Sequence, residues 1–335
     1  MKKIPGIFRF QRVFIQLKNF QLRNLVRKNI SLSLRKIYKK QLKFPFMILI
    51  EVTNDCMLDC IMCPHSKIKE DTGYMHFDLF KKIIDECSHH YSLGYLVFSG
   101  MGEPLLHPKL LEMSRYAKSI GIPNIRLVTN AILLTKEKTL EIFDNAEFDE
   151  IVISLDATTE KTYRKIKSSP NFQIAQENIV YFLNQKKKKR LWKPFIRLHI
   201  LKMKETVFEI SDFLNKWTNL LGIGDYILIK DVHTFAGQVE DRRLEEQIYN
   251  GERLPCRQLW EFLYISWNGD IMPCCMDIFK KMKIGNVYKH SLKESFNSNF
   301  IKKIRRIHLE GRYEEISLCK DCGNWWYLGK EPKKK

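Results

Sequence analysis

Between residues 46 and 230 the chain alternates two hydrophobic patterns. Short, almost continuous apolar runs at 46–53, 94–98, 125–129, 150–155, 195–201 and 226–230 read as strands covered on both faces. Between them, residues 76–90, 108–119, 136–145, 159–166, 172–185 and 206–220 place apolar side chains every third or fourth position and read as amphipathic helices. Six such βα units predict a parallel sheet with helices outside and right-handed crossovers. Six strands suit a partial, TIM-like (β/α)6 barrel, two strands short of a closed ring. Ligand chemistry then belongs at the C-terminal ends of the strands. The basic run 186–190 reads as a solvated loop between elements.

The pattern changes after about residue 240. A charged stretch over 240–253 reads as a linker or helix, and a turn at 267–270 with apolar flanks predicts a hairpin. The expected division is a barrel over 45–240, a small C-terminal domain over 250–329 and a basic tail at 330–335. Ahead of the barrel, residues 1–44 read as an arm of one or two basic amphipathic helices. Residues 1–50 carry 13 of the 57 Lys and Arg and no acidic residue, so the net charge of +19 resides mostly there. A solvated helix against the barrel is the plainest reading of the arm. A membrane-surface contact through residues 1–40 is the sharper one, and nucleic-acid binding the weakest. The longest apolar run, 44–52, is too short to span a bilayer and contains a proline and a glutamate. The arm lacks the apolar core and cleavage site of a secretory signal. A cytoplasmic protein, peripheral to a membrane at most, is expected.

The nine cysteines are clustered. In that setting they argue for metal ligation rather than disulfides. Cys56, Cys60 and Cys63 follow the first strand with spacings that wrap one face of a small inorganic cluster. Three thiolates leave one iron of a 4Fe–4S cube open to another ligand. Zinc with His65 as a fourth ligand is the alternative. After the second strand comes Ser99-Gly100-Met101-Gly102-Glu103-Pro104, where glycines let a ligand approach the backbone and a carboxylate can accept from an ammonium group.

This order of motifs resembles the radical S-adenosylmethionine (SAM) superfamily over residues 46–235. The resemblance implies a SAM-binding 4Fe–4S cluster on Cys56, Cys60 and Cys63, and reductive cleavage of SAM to a 5′-deoxyadenosyl radical that abstracts hydrogen from a substrate. It further implies that Gly100, Met101, Gly102 and Glu103 hold the SAM amino group. Asn130, Ser154 and Asp156, at the ends of the third and fourth strands, would contact its ribose and carboxylate; helix capping is their plainer role. Arg197, His199 and Lys202 on the fifth strand are candidates for the SAM carboxylate.

Cys256, Cys274, Cys319 and Cys322, with Gly269 ahead of Cys274, resemble the C-terminal twitch or short SPASM extension of such enzymes. This implies one auxiliary 4Fe–4S cluster with all four irons ligated, suited to electron transfer. The stretches 284–287 and 291–294 resemble the turn and helix start of the same extension. Cys87, on an apolar helix face, reads as core. Cys275, beside a ligand, is a candidate to return a hydrogen atom to a substrate radical. His233, in a His-x-aromatic-x-Gly stretch after strand six, is a candidate for proton transfer.

The expectation is a radical SAM dehydrogenase or epimerase acting on a small molecule, a carbohydrate or cyclitol, with a flavodoxin- or ferredoxin-type electron donor. A peptide maturase is the first alternative, and a zinc-bound scaffold or nucleic-acid-binding protein the second.

Overall fold

The computed structural model describes residues 42–68, 70–90, 92–244 and 253–323. All but the last three residues of the basic arm, the 330–335 tail and part of the linker lie outside the described residues.

Six strands stand side by side, parallel and in chain order: β1 (Met47–Ile50), β2 (Tyr95–Phe98), β3 (Ile125–Thr129), β4 (Glu150–Ser154), β5 (Phe195–Lys202) and β6 (Tyr226–Asp231). The intervening helices are α1 (Phe77–Ser88), α2 (Leu110–Ser119), α3 (Lys136–Asn145), α4 (Glu160–Lys167), α5 (Phe172–Lys188) and α6 (Ile210–Thr218). The partial barrel expected from the hydrophobic pattern is therefore present.

Two sequence expectations are corrected. The basic run does not form a loop, because Lys186 to Lys188 continue α5. Lys186 is buried and pairs with Asp225 at 2.5 Å, so its stem covers apolar surface while a carboxylate neutralises its head. The helix expected from residue 206 begins at 210. Thr206 instead turns its amide and hydroxyl back toward Met203 and Leu201.

Alternate residues along the strands face opposite sides. Ile48, Ile50, Phe98, Leu127, Ile153 and Ile200 enter the main apolar core, which α1, α5 and α6 cover with residues such as Ile83, Phe182 and Trp217. Cys87 is part of this core. The other face looks into the barrel lumen. There Glu150 receives Arg126 at 2.5 Å and also Arg197, while the two guanidiniums lie over Tyr95 and Tyr226. This layer plugs the N-terminal end of the lumen, which leaves its chemistry at the C-terminal end.

The sheet does not stop at the barrel. β7 (Phe262–Ile265) adds to β1 in parallel, with Met47 opposite Phe262, and β8 (Asp270–Met272) and β9 (Gly285–Asn286) follow antiparallel. The nine-stranded order β6-β5-β4-β3-β2-β1-β7-β8-β9 covers the β1 edge and sets the C-terminal segment beside β1. The expected turn joins β7 to β8, with Gly269 at φ +85°, a conformation that favours glycine. Four short helices complete the segment: α7 (Gln258–Glu261), α8 (Leu292–Phe296), α9 (Asn299–Leu309) and α10 (Ser317–Lys320). Ser291 and Glu294 form a capping box at the start of α8. A second, smaller apolar cluster including Leu259, Trp260, Ile304 and Leu318 underlies α7, α9 and α10. No helix among the described residues is long and apolar enough to cross a membrane.

Candidate active site

Cys56, Cys60 and Cys63 lie half-buried in the loop that leaves β1, close enough for their charges to interact. The loop is tied from several sides. The Thr53 hydroxyl donates to Gly73 O and accepts from Asp55 N, Cys63 N donates to Cys60 O, and Ile61 N donates to Ile166 O at the end of α4. His65 Nε2 lies 2.8 Å from Asn54 O, so this ring braces the loop. Burial pushes the Cys56 thiol up to about 12 and Cys63 to about 11. Thiolates in such surroundings need a compensating positive charge, which iron provides.

The Gly100–Glu103 loop folds down onto the end of β1. A Cβ on Gly100, at φ +150°, would stand 2.6 Å from Glu51 Cβ, and one on Gly102 would stand 2.2 Å from Thr53 O. Close approach requires glycine at both positions, and at Gly100 the positive φ does so as well. Met101 N donates to Glu51 Oε2, and Glu103 N to Asp55 O. The Glu103 carboxylate already has partners within the fold. It is buried and accepts from the amides of Leu105 at 3.1 Å and Asn130 at 2.8 Å, and burial pushes it up to about 7. It fastens the end of β2 to the end of β3.

Asn130 is also partly committed. Its Oδ1 accepts from Ile132 N, and its Nδ2 reaches Met57 Sδ in the cysteine loop. Ser154 ends β4 half-buried, opposite His199. Asp156 is buried, at φ +63°, and its two oxygens take Lys167 Nζ at 2.6 Å and Leu201 N at 3.0 Å. Of the fifth-strand candidates, Arg197 serves the plug at the opposite end of the lumen. His199 has a buried Nε2 without a hydrogen-bond partner among the described residues, and burial with nearby cations pushes its ring down to about 2. Lys202 ends β5.

Sequence reasoning missed Lys167. It is buried beside Tyr163 and Ile166 on the inner face of α4, next to the residue whose carbonyl holds the cysteine loop, and its charge acts on Cys60. A lysine at a position where the periodicity asks for an apolar residue was the available signal.

Cys256, Cys274, Cys319 and Cys322 line one cavity, whose free space including its mouth is about 390 Å³. Gln258 and His308 share its wall, and Ala236 of the loop after β6 reaches it. Gln258 Oε1 lies 3.5 Å from Cys274 Sγ and 3.7 Å from Cys275 Sγ. Burial and the neighbouring thiols push Cys256 and Cys319 up to about 12. Among the described residues no three Cys, His, Asp or Glu side chains gather round a point as one metal ion requires; these four surround a volume. A donor set of four thiols around a buried space fits an iron–sulfur cluster.

Cys275 is not among the residues that line that cavity, although it shares the Gln258 oxygen with Cys274. It packs against Phe262, Tyr264 and Met272, as do Met47 and Leu49, the lumen-facing residues of β1. The Tyr264 hydroxyl donates to Glu51, a second buried pair that the sequence did not suggest. His233 follows β6. Its Nδ1 is buried without a partner among the described residues, its ring stands edge-on to Phe235 at 4.4 Å, and burial with Lys230 pushes it down to about 3. Lys230 also acts on Cys275 and His199, so these groups share the lumen mouth. Gln238 Nε2 donates to Met276 O and locks the His233 loop onto the C-terminal segment.

This pairing of an open cysteine triad at a barrel mouth with a closed four-cysteine cavity defines a class. The profile of the radical SAM superfamily matches residues 50–192, and that of the SPASM iron–sulfur cluster-binding domain matches residues 256–323. The chain belongs to the radical SAM superfamily and is an enzyme of that class, using a 4Fe–4S cluster with SAM and further iron–sulfur chemistry in its SPASM domain.

Among individual proteins, it is 24% identical to the tungsten-containing aldehyde ferredoxin oxidoreductase cofactor-modifying protein of Pyrococcus furiosus, over 67% of this chain and 69% of that one. It is 23% identical to the S-adenosyl-L-methionine-dependent 2-deoxy-scyllo-inosamine dehydrogenase of Niallia circulans, over 83% of this chain and 92% of that one. The fold resembles BtrN in complex with AdoMet and 2-DOIA, with a TM-score of 0.57 at 18% identity over 86% of this chain and 96% of that one. It also resembles Streptococcus suis SuiB bound to the precursor peptide SuiA, with a TM-score of 0.63 at 17% identity over 91% and 77%.

Proposed function

We propose that this enzyme oxidises or epimerises a hydroxyl-bearing carbon of a small molecule of the sugar or cyclitol class. The first cofactor supplies, when bound, a carbon-centred radical for hydrogen abstraction, and the second an electron acceptor. In this reading Cys56, Cys60 and Cys63 hold the SAM-binding cluster and Cys256, Cys274, Cys319 and Cys322 the auxiliary one. The backbone of Gly100, Met101 and Gly102 cradles the SAM amino group, with Glu103 and Asp156 fixing the loops and Asn130 and Ser154 lining the site. Loss of the hydroxyl proton to solvent and of one electron to the auxiliary cluster from the substrate radical gives a ketone; His233, a neutral ring after β6, would pass the proton on and not keep it. Return of a hydrogen atom from the Cys275 thiol instead gives an epimer.

The observation that carries this reading is the division of labour between neighbours. Cys274 lines the auxiliary cavity, while Cys275 packs against the apolar cluster that also receives the lumen-facing Met47 and Leu49. Likeness to a cyclitol-amine dehydrogenase along most of both chains supports the substrate class. Reconstituted protein given SAM, reductant and 2-deoxy-scyllo-inosamine or related cyclitols is expected to form 5′-deoxyadenosine and a ketone in equal amounts. With Cys275 as donor, an epimer carrying one deuterium from D2O is expected. Deoxyadenosine without any change in the cyclitols would overturn the substrate class.

The alternative, a peptide maturase, is supported by the likeness to SuiB and by 33% identity over 103 residues to the PqqA peptide cyclase of Bradyrhizobium diazoefficiens. A precursor peptide that gains a cross-link under the same conditions would favour it. A flavodoxin- or ferredoxin-type donor is the proposed reductant.

A further inference from the structure

His308 lies on α9, on the buried face made by Ile301, Ile304 and Arg305. It is fully buried, with its ring edge-on to Tyr313 at 5.0 Å. One face of the problem is its hydrogen-bonding state. Cys256 N donates to His308 Nδ1 at 3.2 Å, so Nδ1 is an acceptor and carries no proton. An imidazole keeps at least one ring proton, so that proton must sit on Nε2. Nε2 is buried and has no hydrogen-bond partner among the described residues. A buried N–H left without a partner costs about 1–3 kcal/mol, so such groups are rarely left bare. The same ring is part of the wall of the cavity shared by Cys256, Cys274, Cys319 and Cys322. The partner that the fold has prepared for it is therefore whatever fills that cavity.

We propose that His308 Nε2 donates a hydrogen bond to a sulfur of the auxiliary iron–sulfur cluster, and so sets how readily that cluster takes up an electron. This rests on the assignment of the four cysteines to that cluster. The ring is fixed by the backbone of one ligand, Cys256. A hydrogen bond to sulfur stabilises the reduced, more negative cluster over the oxidised one, and outer-sphere donors of this kind raise reduction potentials. His308 is thus a positioning and tuning residue, not a ligand.

The test uses the full-length chain with both clusters reconstituted without oxygen. An EPR-monitored potentiometric titration compares the parent with His308→Leu and His308→Gln, after iron analysis of each. His308→Leu is expected to lower the midpoint of the auxiliary cluster by about 59 mV, a tenfold change in the reduced-to-oxidised ratio for one electron. His308→Gln, whose amide can accept from Cys256 N and donate to sulfur, is expected to restore most of it. An unchanged midpoint in His308→Leu overturns the proposal. Pulsed EPR of the parent, labelled with 15N-histidine, gives a readout that needs no variant. A weak 15N coupling with an exchangeable proton at the auxiliary cluster supports the donor role, whereas strong coupling means direct ligation to iron and its absence means no contact; either overturns it. A parent chain that holds only the first cluster by iron count removes the underlying cysteine assignment itself, and the proposal with it.

Discussion

Cys56, Cys60 and Cys63 stand within eight residues on one loop, whereas Cys256, Cys274, Cys319 and Cys322 come from three segments spread over 67 residues. The first set offers three thiols at the mouth of a barrel, so a cube bound there keeps an iron without a protein ligand. The second offers four around its own cavity, beneath a separate apolar cluster. The difference in ligand count is a difference in chemistry: an open iron can bind and cleave a cofactor, and a closed one can only exchange electrons. It is also a difference in construction. The first loop is short and has to be steadied by its neighbours, Thr53, Ile166 and Asp55 among them. The second cavity exists only once α7, the hairpin, α9 and α10 have packed together.

The sharpest way to break this contrast is to remove one set and watch the other. With Cys56, Cys60 and Cys63 all changed to Ala, 5′-deoxyadenosine formation is expected to fall to background while the auxiliary cluster's EPR signal and its iron remain. Loss of all iron would show the two sites to be one folding unit. The converse, Cys319→Ala, is expected to keep deoxyadenosine formation but to abolish ketone formation from the cyclitol. Ketone formation at the parent rate would mean that the second site is structural.

A smaller effect tests what steadies the first loop. Lys167 and Asp156 are buried together, and α4 holds Ile61 through Ile166 O. Lys167→Met strands the Asp156 carboxylate and is expected to cost about 3–5 kcal/mol in denaturant unfolding. Changing Asp156→Asn in the same chain is expected to recover much of this, because the bare charge is gone. A full loss in the double variant would assign the pair's value to packing instead. The auxiliary cavity, which this pair does not touch, is expected to keep its iron in both.

The same contrast explains what the sequence could disclose. The barrel was legible because six apolar strands and six amphipathic helices repeat their own periods locally. The triad and the Gly100–Glu103 turn were legible because their chemistry is contiguous. The auxiliary cysteines were found by spacing, but His308 and Gln258 were not, since their partners are chosen by the packing of distant segments. Continuation of the barrel sheet through β7 was equally hidden: a strand that pairs with β1 from 215 residues further on has no local mark. Polar residues on an apolar helix face, Lys167 on α4 and His308 on α9, were the signals that remained unread.

Glu103 provides the finest test of how the first site works, because the resemblance and the geometry assign it different duties. An ionised carboxylate would attract an ammonium group, but burial favours the protonated form of this one, even though the two amides that donate to it pull the other way. Its value in the fold is about 7 against 4.5 for an ordinary glutamate. Below pH 4.5 it is protonated both folded and unfolded and costs nothing. As pH rises from 4.5 toward 7 the unfolded chain ionises first, so stability falls across that window and levels off above it. Unfolding of the cluster-free protein in urea, measured at intervals from pH 4.5 to 8, is therefore expected to show a steeper decline in the parent than in Glu103→Gln, with the two curves parallel above pH 7. Curves that run parallel throughout would mean that Glu103 is ionised in the folded chain, and would return it to the duty of holding the SAM ammonium group, at the open site where charge is wanted.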